Sequence, residues 1–390
     1  MLFKKTTKYK FILMVIIFTF MVTSKISAME PTIEEIASQM LMVGFRGTSV
    51  DENSPIIKHI KAGIIGNVIL FDVDQTLNAT SERNIKSPEQ LESLIKTLKQ
   101  SVPSNSPILW VAIDQEGGKV QRLRPERGFR ETYPTAQYLG TKSPSETFKV
   151  AYKLGSELAT LGIDVNFAPV ADININEKSP AIGGKERSYS KSADLVTQHI
   201  FAYANGLIKS GLIPCLKHFP GHGSADTDTH DGAANVTQTW LGLELLPYCR
   251  AIISGWEGMI MSAHVYHEAF DPELPASLSK NIMDGLLRGI LNWKGVIVTD
   301  DLHMGALTQK YNIEETIYFA INAGADILIF SSNAKDMQFD PDFPVVAHKT
   351  IVKLVNEGKI SEQRLRESWE RIMLLKNKAH KNQQTLLFRP

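Results

Sequence analysis

Cysteine is scarce and net charge is absent in this sequence. Cys215 and Cys249 are its only cysteines, so the chain cannot form the disulfide scaffold that stabilises many small secreted domains. Its 42 Lys and Arg side chains are balanced by 42 Asp and Glu side chains, which leaves no electrostatic basis for binding nucleic acid or an anionic membrane surface. We therefore expect neither as a partner. The 43% of hydrophobic residues are enough for a large core.

Long hydrophobic runs are also missing, apart from one near the N terminus. Four lysines between positions 4 and 10 precede the run FILMVIIFTFMV, and a stretch of small and polar residues then ends at Ala28. A basic start, a short apolar segment and a small residue at the cleavage position are typical of a secretory signal peptide. We predict that residues 1–28 are this signal and that the mature protein is periplasmic or secreted, without stable membrane insertion. An uncleaved anchor is the alternative, which the shortness of the run disfavours.

The rest of the chain alternates short apolar runs with longer amphipathic stretches. In one of these stretches, residues 87–98, Ser87 is placed to cap a helix and Pro88 suits its first turn. The apolar runs that read as strands are 41–45, 64–71, 108–113, 165–170, 213–216, 259–262, 296–299 and 327–330. Apolar strands that alternate with helices indicate a parallel sheet covered by helices. Eight such units predict an α/β fold of the (β/α)8 TIM-barrel type, with an open doubly wound sheet as the alternative.

The sequence of the C-terminal region predicts a helix from residue 345 to residue 375. Ser361 is placed to cap a helix within that range, and apolar residues recur after it at helical spacing. We expect this helix to pack on the barrel. The predicted organisation is a single catalytic domain over residues 29–380, followed by a frayed tail at 381–390.

Polar residues follow the apolar runs at their C-terminal ends, where barrel enzymes hold their reactive groups. In chain order they are Asp114, Asp172, Lys217 with His218, His264, Asp300, and Ser331 with Ser332. Asp300 could serve as a nucleophile, a general base or a metal ligand, while Asp301 could cap the next helix. Lys217 is costly to bury alone, so we expect it to meet an anion or a ligand hydroxyl. The pattern predicts one pocket at this end of the barrel.

The segment KHFPGHGSADTDTH, residues 217–230, carries the densest cluster of reactive side chains. Its proline and glycines favour a bent backbone. One interpretation is a metal site, because imidazole and carboxylate groups are zinc ligands. Another is an acid/base pair in which Asp228 orients His230. The spacing leaves both open, together with a third interpretation as a solvated polar loop.

The motifs KHFPGHG and DTH, with IDQEGG before them and VTDD after them, resemble those of the family 3 glycoside hydrolases. Their order across nearly the whole mature chain is most similar to the single-domain β-N-acetylhexosaminidase branch. The resemblance implies a TIM barrel that needs no cofactor and no metal. It also implies a retaining exo-β-N-acetylhexosaminidase whose substrates are glycans that contain N-acetylglucosamine.

The resemblance also assigns roles to the matching positions. Asp300 becomes the nucleophile that forms a covalent glycosyl-enzyme, and His230 becomes the general acid/base with Asp228 as its partner. The positions that would hold the sugar are Asp114, Arg122, Arg187, Lys217 and His218. A histidine acid/base departs from the paired carboxylates of most retaining glycosidases.

The export signal is a further departure, because members of this branch that recycle peptidoglycan are usually cytoplasmic. We therefore expect peptidoglycan fragments or chitooligosaccharides outside the cytoplasm as substrates. Three alternatives stay open: another family 3 β-glycosidase, a metal-dependent barrel hydrolase that uses the His and Asp loop, and a barrel that binds sugar without catalysis.

Overall fold

The computed structural model describes residues 30–77, 81–230, 232–335 and 337–387. The predicted signal peptide, residues 1–28, lies outside these ranges. Every element below belongs to the unit Ile33–Pro390. Within the described ranges, no helix combines the length and the hydropathy needed to cross a membrane.

Eight parallel strands form a closed barrel. The strands of the chain are β1 Leu41–Gly44, β2 Asn67–Leu70, β3 Trp110–Ile113, β4 Val165–Asn166, β5 Ile213–Phe219, β6 Ala234–Asn235, β7 Met259–Ser262, β8 Val265–Tyr266, β9 Ile297–Asp301 and β10 Ile327–Phe330. Around the barrel the order is β1, β2, β3, β4, β5, β7, β9 and β10, and β10 pairs with β1 to close the ring. β6 and β8 form a separate two-stranded sheet. Each predicted strand is a barrel strand, so the TIM-type barrel is confirmed and the open sheet is wrong.

Helices connect the strands and cover the barrel. They are α1 Ile33–Met40, α2 Pro55–Lys61, α3 Pro88–Gln100, α4 Ala136–Gly140, α5 Pro144–Thr160, α6 Ala193–Lys209, α7 Leu246–Ile253, a π-helix Asn281–Ile290, α8 Gly305–Thr308, α9 Ile313–Ala323, α10 Phe343–Asn356 and α11 Glu362–Leu387. Ser87 caps α3 as predicted, because its side chain accepts a hydrogen bond from the backbone N–H of Gln90 at 3.3 Å. This cap fixes where the chain turns back towards the next strand.

Two helices occupy the C-terminal region where the sequence predicts one helix over residues 345–375. Gly358, between α10 and α11, has a φ of 70°, a conformation that glycine adopts without strain and that ends a helix. Ser361 caps α11 as predicted, with 3.2 Å between its Oγ and the backbone N of Arg364. α11 continues to Leu387, so residues 381–387 are helical where a frayed tail is predicted. A hydrogen bond of 3.1 Å from Gln383 to the carbonyl of Gly211 ties that turn to the barrel.

Two barrel strands are irregular near their C-terminal ends. Between two successive pairs with β7, β5 advances by three residues, from 216 to 219, while β7 advances by only two. Along β9, a step from 298 to 301 opposes a step of two residues along β10. An extra residue of this kind changes the direction of the side chains beside it. Lys217, His218 and Asp300 all lie within these two irregular steps.

Candidate active site

A cavity of about 470 Å³ lies at the C-terminal ends of the barrel strands. All eight side chains to which the resemblance assigns a role line it: Asp114, Arg122, Arg187, Lys217, His218, Asp228, His230 and Asp300. They come from the loop after β3, from the loop after β4, from β5 and the loop after it, and from β9. The single pocket predicted from the strand-end pattern is therefore present in the described part of the chain.

Lys217 is buried between two carboxylates in the wall of this cavity. Its Nζ is 2.7 Å from Asp114 Oδ1 and 2.7 Å from Glu116 Oε1. Arg187 binds the same Glu116 through two hydrogen bonds, 2.9 Å from its Nε and 2.7 Å from its Nη2. Two cations and two anions thus neutralise one another, as expected for charges that leave water. The predicted anionic contact of Lys217 is confirmed.

Burial alone would favour the neutral forms of these groups. It acts to lower the pKa of Lys217, but Asp114 and Glu116 outweigh it and hold that pKa above its usual value. It acts to raise the pKa of Glu116, but Arg187 and Lys217 hold that pKa well below its usual range. The cluster therefore stays charged and presents fixed donors and acceptors to the hydroxyl groups of a ligand.

Glu116 is a site residue that the sequence analysis does not identify. It lies in the IDQEGG motif, which the sequence also allows to be only a tight turn, and Gly117 does form that turn with a φ of 102°. The signal that could have identified Glu116 is electrostatic. Lys217 and Arg187 bring two positive charges to one wall, and Asp114 supplies only one negative charge, so a second carboxylate was required nearby.

His218 is oriented by Asp172, a strand-end residue with no predicted role. His218 Nδ1 is 2.7 Å from Asp172 Oδ2, and the backbone N–H of His222 donates to Asp172 Oδ1 at 2.8 Å. Burial raises the pKa of Asp172, but His218 and His222 outweigh it and lower that pKa below its usual value. The other ring nitrogen of His218, Nε2, lies 3.3 Å from Arg187 Nη2. Asp172 thus fixes which edge of the His218 ring turns towards the cavity.

Asp300 and Asp301 both line the cavity, but they are held differently. Asp300 accepts a hydrogen bond from the backbone N–H of Asp301 at 2.8 Å. Asp301 accepts one from the backbone N–H of Ser331 at 2.9 Å and another from the Ser331 hydroxyl. Asp301 therefore links β9 to β10. Its predicted role as a helix cap is wrong, because Met304 occupies the capping position of α8.

The environment of Asp300 keeps its carboxyl group ionised. Burial acts to raise the pKa of Asp300, but the positive potential of His218, His264 and His230 outweighs it and lowers the pKa to about 2. A carboxylate at neutral pH is the form that can attack an electrophilic carbon. Asp300 is therefore chemically ready for nucleophilic attack from the end of β9.

Asp228 and His230 form a hydrogen-bonded pair in the loop after β5. His230 Nδ1 lies 2.7 Å from Asp228 Oδ1, and Lys185 Nζ lies 2.8 Å from Asp228 Oδ2. Burial raises the pKa of Asp228, but His230 and Lys185 hold it well below its usual range. Partial burial lowers the pKa of His230, but Asp228 and Asp300 outweigh it and raise that pKa. This is the arrangement that general acid/base catalysis by histidine requires.

Neighbouring elements hold the loop that carries this pair. Thr229, between Asp228 and His230, places its hydroxyl 3.3 Å from His222 Nε2. Its carbonyl accepts a hydrogen bond of 3.3 Å from the backbone N–H of Ala306, at the start of α8. The pair is thus connected to the start of its own loop on one side and to the segment after β9 on the other.

A family model described as the glycosyl hydrolase family 3 N-terminal domain matches residues 32–375. The chain belongs to glycosyl hydrolase family 3. The match covers the whole barrel, from α1 into α11. The expectation of the sequence analysis, that the chain is a family 3 glycoside hydrolase, is therefore confirmed.

Known proteins of similar sequence and structure agree with this family. A β-hexosaminidase A from Pseudoalteromonas piscicida is 32% identical over 343 residues, which cover 83% of this chain and 55% of that protein. A β-hexosaminidase from Nitrosomonas eutropha is 33% identical over 302 residues, 75% of this chain and 80% of that protein. This glycosyl hydrolase thus spans little more than half of the first relative and most of the second.

Solved structures of two other proteins superimpose on this chain. A family 3 β-N-acetylglucosaminidase from Paenibacillus has a TM-score of 0.79 and 34% identity, and the match covers 90% of this chain and 63% of that one. A β-N-acetylhexosaminidase from Beutenbergia cavernae has a TM-score of 0.78 and 28% identity, and the match covers 89% of this chain and 99% of that one.

Arg122 lines the family 3 site but makes longer contacts with its neighbours than Lys217 and Arg187 do. Its guanidinium nitrogens lie 4.0 Å from Asp114 Oδ2 and 3.7 Å from Asp72 Oδ1. It also lies 5.6 Å from the centre of the Phe71 ring. Both nitrogen–oxygen separations exceed hydrogen-bond length, so Arg122 keeps N–H donors for a ligand in the cavity.

The His and Asp side chains of the loop after β5 are committed to other contacts. His222 meets Thr229, and Asp228 meets both His230 and Lys185. In the described ranges, no three His, Cys, Asp or Glu side chains converge on a point that could hold a metal ion. The donor set of the family 3 site therefore fits the acid/base interpretation of the loop better than the metal interpretation.

Proposed function

We propose that this family 3 enzyme is a retaining exo-β-N-acetylhexosaminidase that releases terminal β-linked N-acetylhexosamine through a covalent glycosyl-enzyme. One observation carries the proposal. The cavity holds an ionised carboxylate, Asp300, together with a carboxylate-paired imidazole, His230. A nucleophile and a separate proton donor are the two groups that retaining glycoside hydrolysis needs.

In the first step, Asp300 attacks the anomeric carbon as the bond to the leaving oxygen breaks. Protonated His230 gives its proton to that oxygen, and Asp228 stabilises the imidazolium until the proton leaves. In the second step, neutral His230 takes a proton from water as the water attacks the anomeric carbon. The bond between the anomeric carbon and Asp300 breaks as the water attacks, so the sugar leaves with retained configuration and both side chains return to their initial states.

The ion-paired cluster supplies the sugar-holding part of this proposal. Asp114 and Lys217 border the cavity beside Arg187 and His218, so carboxylate acceptors and N–H donors meet at one wall. A pyranose ring presents several hydroxyl groups, each able to donate and to accept, which suits such a mixed wall. Fixed positions for these groups limit the entropy lost when the sugar binds.

The proposed preference for an N-acetylated sugar is supported by the names of the similar proteins. The Pseudoalteromonas and Nitrosomonas proteins are named β-hexosaminidases, and the Paenibacillus structure is a β-N-acetylglucosaminidase. We propose N-acetylglucosamine as the terminal sugar, carried by peptidoglycan fragments or chitooligosaccharides. Another β-linked sugar would indicate a different specificity within family 3.

We further propose that the enzyme acts in the periplasm or after secretion. The lysine-rich start and the apolar run before Ala28 support this location. The N-terminal sequence of the protein from its producing cell provides the test. A mature chain that begins close to position 29 agrees with export, and a cytoplasmic chain that retains residues 1–28 overturns it.

A panel of aryl β-glycosides tests the activity. The purified enzyme should release the aryl group from the N-acetylglucosaminide, with chelator present or absent, and Asp300→Ala should lower the rate by roughly a thousand-fold or more. Asp284→Ala is the control, because this carboxylate pairs with Lys280 on the π-helix, outside the residues that line the cavity.

An unimpaired Asp300→Ala enzyme contradicts the nucleophile, and loss of activity with chelator favours the metal-dependent hydrolase. Running the panel with and without phosphate also shows which acceptor takes the sugar.

A further inference from the structure

One short turn contacts both parts of the site, the ion-paired wall and the acid/base pair. The turn is the 3₁₀ helix Gly183–Lys185, followed by Glu186 with a φ of 58° and then by Arg187. A Cβ on Gly183 would lie 2.4 Å from the carbonyl oxygen of Asn176, so a larger residue cannot occupy that position without movement. The backbone of this turn is therefore tightly placed.

Two side chains leave the turn in different directions. Arg187 binds Glu116 in the wall that the proposed sugar would contact. Lys185 binds Asp228 in the acid/base pair, with 2.8 Å between Nζ and Oδ2. A displacement of the turn would thus affect both halves of the site. No role for Lys185 follows from the family motifs.

We propose that Lys185 is a positioning residue of the acid/base pair, which holds the Asp228 carboxylate so that its other oxygen faces His230. The proposal rests on the function proposed above. It assigns to Lys185 no contact with the substrate and no proton transfer of its own.

The contacts of Asp228 explain why a second partner matters. Oδ1 receives both the His230 ring nitrogen at 2.7 Å and the His230 backbone N–H at 3.1 Å. Lys185 binds the other oxygen, Oδ2, and without that contact the carboxylate could rotate out of the plane in which Oδ1 meets the His230 ring. The His230 side chain is 66% exposed, so little packing fixes it. Its orientation then depends on Asp228, and that of Asp228 depends on Lys185.

Charge gives Lys185 a second, measurable effect. The groups that act on His230 are Asp228 on its own loop, Asp300 on β9, His264 after β7, and Lys185 on the turn. The two carboxylates raise the pKa of His230, and Lys185 opposes them. Removing the ammonium charge alone would therefore raise this pKa, whereas losing the contact with Asp228, the strongest of the influences that raise it, would lower it.

Lys185 contributes little to folding by comparison. Its side chain is 41% exposed, and ion pairs this open to solvent stabilise folded proteins by roughly 1 kcal/mol or less. Lys185→Met should therefore fold and melt like the parent enzyme. This makes the variant a usable probe of position and charge.

The experiment compares Lys185→Met, Lys185→Arg and the parent enzyme by the pH dependence of kcat/KM and by NMR titration of the His230 ring. An aryl glycoside with a poor leaving group is used, because its departure depends most on proton donation. Lys185→Met should lower kcat/KM roughly ten-fold and move both the alkaline limb and the His230 titration to lower pH, because a displaced Asp228 no longer raises the His230 pKa. A shift to higher pH with unchanged kcat/KM would show that Lys185 acts only through its charge, and would overturn the proposal. Lys185→Arg should restore both, because guanidinium keeps the charge and the contact.

Lys191→Met is the matched control. Lys191 belongs to the same connection between β4 and α6 and pairs with Glu177 at 2.9 Å, but it does not line the cavity. If Lys185→Met titrates and turns over like Lys191→Met, the proposal for Lys185 is wrong while the proposed function stands. If the parent enzyme hydrolyses none of the glycosides, the proposed function fails, and the NMR titration still decides whether Lys185 acts on His230.

Discussion

Asp300 and His230 carry opposite shifts in pKa, and each shift favours the form that its proposed role requires. The pKa of Asp300 is lowered to about 2, since three imidazoles outweigh its burial. The pKa of His230 is raised, since two carboxylates outweigh its partial burial. An ionised nucleophile and a protonated acid therefore coexist over a wide range of pH. Each group contributes to the other's shift, although His218 and His264 act more strongly on Asp300 and Asp228 acts more strongly on His230.

These shifts predict the pH dependence of kcat/KM. A lowered carboxyl pKa keeps Asp300 ionised until the pH falls towards about 2, and a raised imidazole pKa keeps His230 protonated to above pH 6.5, its usual value. The profile for a poor leaving group should therefore be flat through mildly acidic pH and fall on the alkaline side above pH 6.5. His230→Gln should remove the alkaline limb. A limb centred below pH 6.5 in the parent enzyme would contradict the assigned acid.

Single residues differ in how far the sequence could predict them. Asp114, Lys217, His218 and Asp300 follow apolar runs directly, so the rule that barrel sites lie at strand ends is enough to find them. Glu116 and Lys185 act on other site residues instead of standing out in the motifs, and Asp172 follows an apolar run but acts through His218. Their roles depend on distances across the barrel, which a sequence pattern does not contain.

At the scale of elements, the loop after β5 depends on close backbone approach. A Cβ on Gly223 would lie 1.8 Å from the carbonyl oxygen of Ile173, in the segment after β4. The carboxylate of Glu244 also accepts a hydrogen bond of 3.1 Å from the Gly223 backbone N–H. Burial raises the pKa of Glu244 to about 7. The start of the acid/base loop is thus fixed by two neighbouring segments.

Gly223→Ala should therefore displace the loop and the pair that it carries. A displacement of about 1 Å costs roughly a hundred-fold in rate, so kcat/KM should fall at least that much. Gly232→Ala is the matched control, because a Cβ there meets no described atom within 4 Å. Equal kcat/KM values for the two variants would show that the contact with Ile173 does not position the loop.

The irregular pairing of β5 and β9 is the feature of the elements that the sequence did not predict. Apolar runs predicted β5 to end at residue 216 and β9 to end at 299, whereas pairing continues to Phe219 and Asp301. The polar residues Lys217, His218 and Asp300 interrupt the hydrophobic pattern while remaining in the strands. Ion pairs and hydrogen bonds with distant residues offset the cost of burying these polar groups. A hydrophobic pattern contains no information about such partners, so it predicts strands that end too early.

At the scale of the whole molecule, the repeated alternation of strand and helix was enough to predict a closed barrel. Each repeat buries its apolar strand against the next, so the pattern is strong even in one sequence. What closes the opposite end of the barrel was not predictable. Lys376, from α11, is buried there among residues that precede β1, β2 and β3. Its Nζ contacts Gln39 Oε1 at 2.7 Å, the Gly66 carbonyl at 3.2 Å and the Ile108 carbonyl at 2.7 Å.

Lys376→Met should destabilise the fold by leaving these buried oxygens without a donor. An unsatisfied buried acceptor costs about 1–3 kcal/mol, and the 4.7 Å contact between the Lys376 ammonium and the Trp110 ring is lost as well. Lys378→Met is the control, two residues further along α11, because Lys378 forms a solvent-exposed pair with Glu257. Denaturant unfolding of both variants and the parent gives the comparison. Equal midpoints would show that α11 is not held through Lys376.

The cost of Lys376→Met should also grow with pH. Burial lowers the pKa of Lys376 to about 7, against 10.5 for an ordinary lysine, with Asp164 opposing the shift. Between these values the unfolded chain binds more protons than the folded chain, so this lysine adds stability as the pH rises. The methionine variant lacks that gain, and the difference in unfolding free energy between parent and variant should increase from pH 7 towards pH 10. A difference that stays constant over that range would mean that the buried amine keeps its proton, bound by its three oxygens and the indole ring.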